Sequence, residues 1–178
     1  LHFKPVPLDT QEMDFLEGYE EGAFRFWNIC DAKNKKELEI PADWKNVKYA
    51  KDEILPVTKI NKDVATIKVK MLGYKPDMKL EFYVGGFVPL GSTQQMAKTY
   101  PFAANGTLTA EIPLWLTREV TVGVQGLAYT NIIIGPGQET TILMQVCDDH
   151  HPYLAFKGFF AKTNMDLVNA HDTHKSFT

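Results

Sequence analysis

The sequence predicts a mainly β protein: an antiparallel β-sandwich of the immunoglobulin-like (Ig-like) kind, preceded by a smaller β-rich segment and followed by a C-terminal helix. Three observations carry this expectation. Residues 63–72 alternate Val64, Thr66, Lys68 and Lys70 with Ala65, Ile67, Val69 and Met71, the period of a strand with one buried and one wet face. Short runs of the same kind recur as far as 146, bounded by Gly, Pro and Asn-Gly, and strands at this spacing usually build a sandwich. Beyond that point the apolar residues recur at helix-like intervals instead. The expected division is 1–60 as a β-rich N-terminal segment, 61–147 as the sandwich and 148–178 as a helical connector.

The first sixty residues read as a strand or two plus an extended stretch. Phe24, Phe26 and Ile29 flank Trp27 in a run that suits a strand, 33–37 is a charged turn, and Pro41 and Pro56 limit any long element. Within the sandwich, Gly73, Pro76 and Asp77 favour a turn before 78–84 alternates again, so 63–72 and 78–84 read as a hairpin. Further strands are expected at 107–112, 119–125, 130–134 and 139–146. Gly135-Pro136-Gly137 is a tight reversal between the last two, and it lacks the following helix that a phosphate cradle needs. In the tail, Phe156, Phe159, Phe160, Met165, Leu167 and Val168 predict an amphipathic helix over 153–168, with Pro152 suited to its first turn and Gly158 weakening it. Its Phe156, Phe159 and Phe160 are expected to dock against the sandwich or against a further C-terminal domain.

Length and composition place the chain among globular proteins. It has 178 residues, 44% hydrophobic and 12% aromatic, with a formal charge of −3, enough to bury a sizeable core. Basic residues are scattered among acids except for Lys33, Lys35 and Lys36, which read as a solvated loop, so nucleic acid is not an expected partner. No apolar run is long enough to span a bilayer, and there are no segments of signal-peptide type. Opening at Leu1 without an initiator Met, the chain reads as a fragment of a longer protein whose missing upstream strand leaves a weak edge near 1–8. Cys30 and Cys147 are either buried apolar residues or the halves of a structural disulfide, and both readings stand.

One resemblance covers most of the chain. The run 65–70 followed by Gly73-Tyr74-Lys75-Pro76, then Asn105-Gly106-Thr107, then 134–140 (Ile134-Gly135-Pro136-Gly137-Gln138-Glu139-Thr140) resembles the β-sandwich region upstream of the thioredoxin-like domain in envelope thiol-disulfide oxidoreductases of gut anaerobic bacteria. The stretch 153–164 is similar to the start of the connector in those proteins, and 1–9 with 15–18 and 22–27 to the end of a preceding β-rich region. The resemblance implies a non-catalytic N-terminal accessory region, located in the periplasm or cell envelope. It would position a thioredoxin-like domain of the same chain and help recognise its protein substrates. The family's redox domain works through a Cys-x-x-Cys pair, and this chain has none. An independent binding module for glycan or a surface protein is the alternative.

Three constellations invite a chemical role. Asp148, Asp149, His150 and His151 carry metal-ligating groups, but four consecutive residues cannot all face one ion, and a polar linker explains them. Asp166, His171, Asp172 and His174 could serve acid-base chemistry only in a pocket, which a terminal polar stretch rarely provides. The loop 85–91 with Tyr100, Phe102 and Trp115 offers aromatics that either fill the core or grip a sugar or partner. No catalytic residue, cofactor or metal site is expected; Phe87, Trp115, Phe156, Phe159 and Phe160 are the candidate interface residues.

Overall fold

In the computed structural model the alternating runs become strands of two four-stranded sheets that enclose one core. The structure describes residues 5–18, 23–31, 33, 38–51, 53–54, 57, 59–88, 92, 94–125, 127–146 and 152–175. The chain divides into two compact units, Leu1–Glu37 and Leu38–Thr178.

The smaller unit is built on an antiparallel pair, β1 (Glu12–Leu16) and β2 (Arg25–Cys30). Met13 faces Ile29 and Phe15 faces Phe26, so β2 holds one residue more than β1 over this interval. That residue count defines a β-bulge. Asn28 takes a left-handed conformation there (φ 56°), which Asn tolerates better than most residues, and the Asp14 carboxylate accepts its N–H at 2.7 Å.

The larger unit contains β3 (Asp63–Leu72), β4 (Glu81–Phe87), β5 (Met96–Pro101), β6 (Thr107–Leu114), β7 (Arg118–Val124), β8 (Ala128–Ile134), β9 (Glu139–Gln145), β10 (Tyr153–Gly158) and α1 (Ala161–Lys175). One sheet runs β10-β9-β3-β6 and the other β5-β4-β7-β8. Neighbours pair antiparallel except β3 and β9, which run parallel. Alternate residues of these strands line the core: Ala65, Ile67, Val69 and Met71 from β3, Val120, Val122 and Val124 from β7, Ile132 and Ile134 from β8. Tyr153 crosses between the sheets, its hydroxyl donating to the Val122 carbonyl at 3.1 Å, and burial pushes its phenol well above the ordinary range.

The mainly β sandwich with one C-terminal helix matches the expected fold class, but three local expectations are corrected. First, β3 and β4 are not a hairpin, since they lie in different sheets. The link between them carries a 3-10 turn, Pro76–Met78, and buries Met78 and Leu80 as it crosses from sheet to sheet. Second, β5 is a strand where none was expected, because its side chains are largely exposed on both faces and show no alternation. Third, the helix expected over 153–168 begins at Ala161, and the preceding residues form β10. Strand β10 ends at Gly158, whose φ of 111° and 2.1 Å approach of an added Cβ to the Glu139 carbonyl admit only glycine.

Residues 38–51 and 53–54 are not part of either sheet. Trp44 packs on Leu143 and Ala155 of β9 and β10, with Val47, Leu72 and Leu154 around it, so this strap covers the outer side of those strands. Covering both faces explains why β9 and β10 bury successive residues instead of alternate ones.

Candidate functional site

The most elaborate arrangement of polar and aromatic groups lies where α1 meets the strap and the edges of both sheets. A helix leaves its first N–H groups without partners, and α1 has no acidic residue in its own first turn. Glu53, more than a hundred residues earlier, supplies the missing acceptor. Its carboxylate accepts the backbone N–H of Lys162 and of Thr163, each at 2.8 Å, and the Thr163 hydroxyl at 2.7 Å. A negative charge at this end also complements the helix dipole.

One turn into the helix, Asn164 is fully buried beside the edge strand β8. The Ile133 N–H donates to its Oδ1 at 2.7 Å, and its Nδ2 donates to the Ile133 carbonyl at 3.1 Å. The amide thus replaces the backbone of a further strand at that point. Phe160, Ala161 and Val168 bury the apolar side of the junction, and Phe160 meets Phe159 edge to face at 4.9 Å.

At the neighbouring edge of the other sheet, the strap reaches β10. The Phe156 N–H donates to the Tyr49 hydroxyl at 3.1 Å. Lys157 donates to Asp43 at 2.8 Å, with its ammonium 4.0 Å from the centre of the Trp44 ring. The Lys157 hydrogen bond holds the Asp43 carboxyl below its usual range, against a smaller opposing effect of desolvation. Lys162 pairs with Asp166 along the helix surface.

A second feature lies on the outer face of the β5-β4-β7-β8 sheet. Tyr83 and Tyr129 meet edge to face at 5.7 Å, with Tyr129 47% exposed. Tyr129 rests against Gly123, where an added Cβ would come within 2.4 Å of its ring. Beside them Thr121 donates to Asn131 at 2.9 Å, and Asn131 donates to Glu119 at 2.6 Å.

The expected interface residues separate into two groups. Phe87, Phe156 and Phe160 are core side chains, exposed by 2% or less. Phe159 is 48% exposed, and Trp115 is half-buried with the Lys62 ammonium 5.4 Å from its ring centre. Of the other aromatics, Phe102 is buried against Tyr74 and Phe82, and the Tyr100 hydroxyl donates to the Glu111 carbonyl at 3.2 Å. Asp148, Asp149, His150, His151 and Cys147 lie outside the described residues. Cys30 is a free, half-buried thiol at the end of β2. His171, Asp172 and His174 fall on the last turns of α1. Among the described residues no cluster of three His, Cys, Asp or Glu side chains could hold a metal ion, and no helix is long and apolar enough to cross a membrane.

Glu53, Tyr49 and Asn164 were not expected to matter. Glu53 sits in an ordinary charged stretch, and nothing local marks it as the cap of a distant helix. Asn164 did carry a signal, since Asn is a poor residue for a helix interior. Comparisons with protein-family models, with curated proteins and with solved structures return no match.

Proposed function

We propose that this chain is a non-catalytic accessory region of an envelope thiol-disulfide oxidoreductase, in which the sandwich holds a thioredoxin-like domain of the same protein in place through α1 and helps it recognise its protein substrates. The observation that carries this reading is the fastening of α1. The strap caps its N-terminus through Glu53, the β8 edge grips Asn164, and Phe160 anchors it in the core. A helix fixed at three points transmits a direction, which a flexible linker cannot do. Location in the periplasm or cell envelope belongs to the same reading and rests on the family resemblance.

The test is to read the coding sequence downstream of Thr178 and to assay the full-length protein beside this chain for reduction of insulin disulfides. A Cys-x-x-Cys opening a helix after a strand, with activity in the full-length protein alone, is the expected result. Absence of that motif together with inactivity in both would overturn the proposal.

A second reading, an independent glycan-binding module, is favoured by one observation. Tyr129 presents an exposed ring beside Asn131 and Glu119, and a sugar ring stacks on an aromatic face while its hydroxyls bond to amide and carboxylate groups. Tyr129→Ala abolishing retention on an immobilised polysaccharide would support that reading, and no retention of the unaltered chain would dismiss it.

A further inference from the structure

The four sheet edges of the sandwich are treated unequally. The β8 edge is filled by Asn164, which bonds both polar groups of Ile133. The β10 edge receives Tyr49 on the Phe156 N–H. On β6, the Glu111 carbonyl accepts the Tyr100 hydroxyl, so the odd-numbered residues point their backbone outward. Thr107 shares that orientation, and both of its outward groups are bonded: its N–H donates to Asn105 at 3.2 Å and its carbonyl accepts the Ala103 N–H at 2.8 Å. Pro113 faces the same way and has no N–H to leave open.

On β6 this leaves Thr109 and the Glu111 N–H as outward groups with no recorded partner among the described residues, whereas strand β5 is open throughout. It lies at the end of its sheet, paired only with β4, and among the described residues no hydrogen bond from outside that pairing reaches the backbone of Met96–Pro101. Five of its six residues are exposed, including Met96 at 43%, and Tyr100 is half-buried. Side chains on both faces of β5 are thus exposed, and among the described residues no recorded hydrogen bond closes its outer edge to an incoming strand.

We propose that β5 is an acceptor for an extended polypeptide segment of another protein, added as a fifth strand to the β5-β4-β7-β8 sheet. An unpaired row of N–H and C=O groups is complementary to a second extended backbone. Lys98 is the only charged side chain on the strand, which favours an acidic residue opposite it. It also disfavours a second copy of β5, because antiparallel self-pairing would bring two Lys98 side chains together. Pro101 has no N–H and ends the usable edge, leaving Met96–Tyr100 as the template. The binding mode stands on the fold and survives failure of the redox reading, which the downstream sequence decides.

The experiment is hydrogen exchange of the full chain with an excess of a ten-residue peptide of alternating valine and glutamate. Controls are the same peptide with N-methylated backbone and a valine-lysine counterpart. The expected result is at least ten-fold slower exchange over 96–100, unchanged exchange over 108–113 and 129–133, no effect of the N-methylated peptide, and reversal of the charge preference by Lys98→Glu. Lys98 is exposed, so that variant keeps the fold. Any of three results would overturn the proposal: no slowing over 96–100, equal slowing by the N-methylated peptide, or protection that rises with protein concentration when no peptide is added, which would identify a second copy as the occupant.

Discussion

On one side of the sandwich, the edges β8 and β10 are closed by α1 and the strap; on the other, β5 is left bare and β6 is closed only by local turns and a tyrosine. Both sides have edge strands of similar length, yet their environments differ. The closed side is assembled from residues distant in sequence, with Glu53 meeting Lys162 and Thr163 and Tyr49 meeting Phe156. Among the described residues the open side has no recorded partner so distant in sequence. An edge closed by specific buried groups is committed to holding the structure together, whereas an edge left unpaired remains available for binding. Under the two proposals made above, the sides do different work, mechanical coupling to α1 and recognition along β5.

The largest effect that sharpens this contrast is expected at Phe160. Phe160→Ala removes a fully buried ring from the closed side and should cost about 3–5 kcal/mol, read as a shift of the midpoint in chemical denaturation. Asn164→Leu comes next. It leaves the N–H and carbonyl of Ile133 unpaired beside a buried apolar group and should cost about 3 kcal/mol by the same measurement. A cost below about 1 kcal/mol would mean that the β8 edge closes without the amide. Glu53→Ala should cost about 1 kcal/mol as the loss of a helix cap, and it should speed amide exchange at Lys162 and Thr163 while leaving β3 unchanged. On the open side, Met96→Ala should change stability by no more than about 0.5 kcal/mol. A large loss there would break the comparison.

What could be read from the sequence follows from how each element meets solvent. Strand β3 is half-buried, so Ile67, Val69 and Met71 announce it by alternation. Strand β10 is covered on both faces, by the core and by Trp44, so its alternation vanishes. The spacing of Phe156, Phe159 and Phe160 then imitates a helix across the boundary between β10 and α1. Strand β5 fails for the opposite reason, being exposed on both faces. The link from β3 to β4 looks like a hairpin because local turn residues do not record which sheet the next strand joins; buried Met78 was the available clue. The candidate interface aromatics divided in a way that residue type alone cannot decide, with Phe159 at the surface and Phe156 and Phe160 inside. The fastening of α1 depends on contacts spanning more than a hundred residues, such as Glu53 with Thr163, and no local pattern encodes them.

The central claim is that α1 and the sandwich behave as one body. Native-state hydrogen exchange measures this directly by comparing the amides of Met165–Val168 in α1 with those of Ile67–Val69 in β3. Equal opening free energies, both equal to that of global unfolding, are the predicted result. Exchange in α1 faster by orders of magnitude, at a free energy well below that of β3, would show a helix that detaches on its own and would contradict the account.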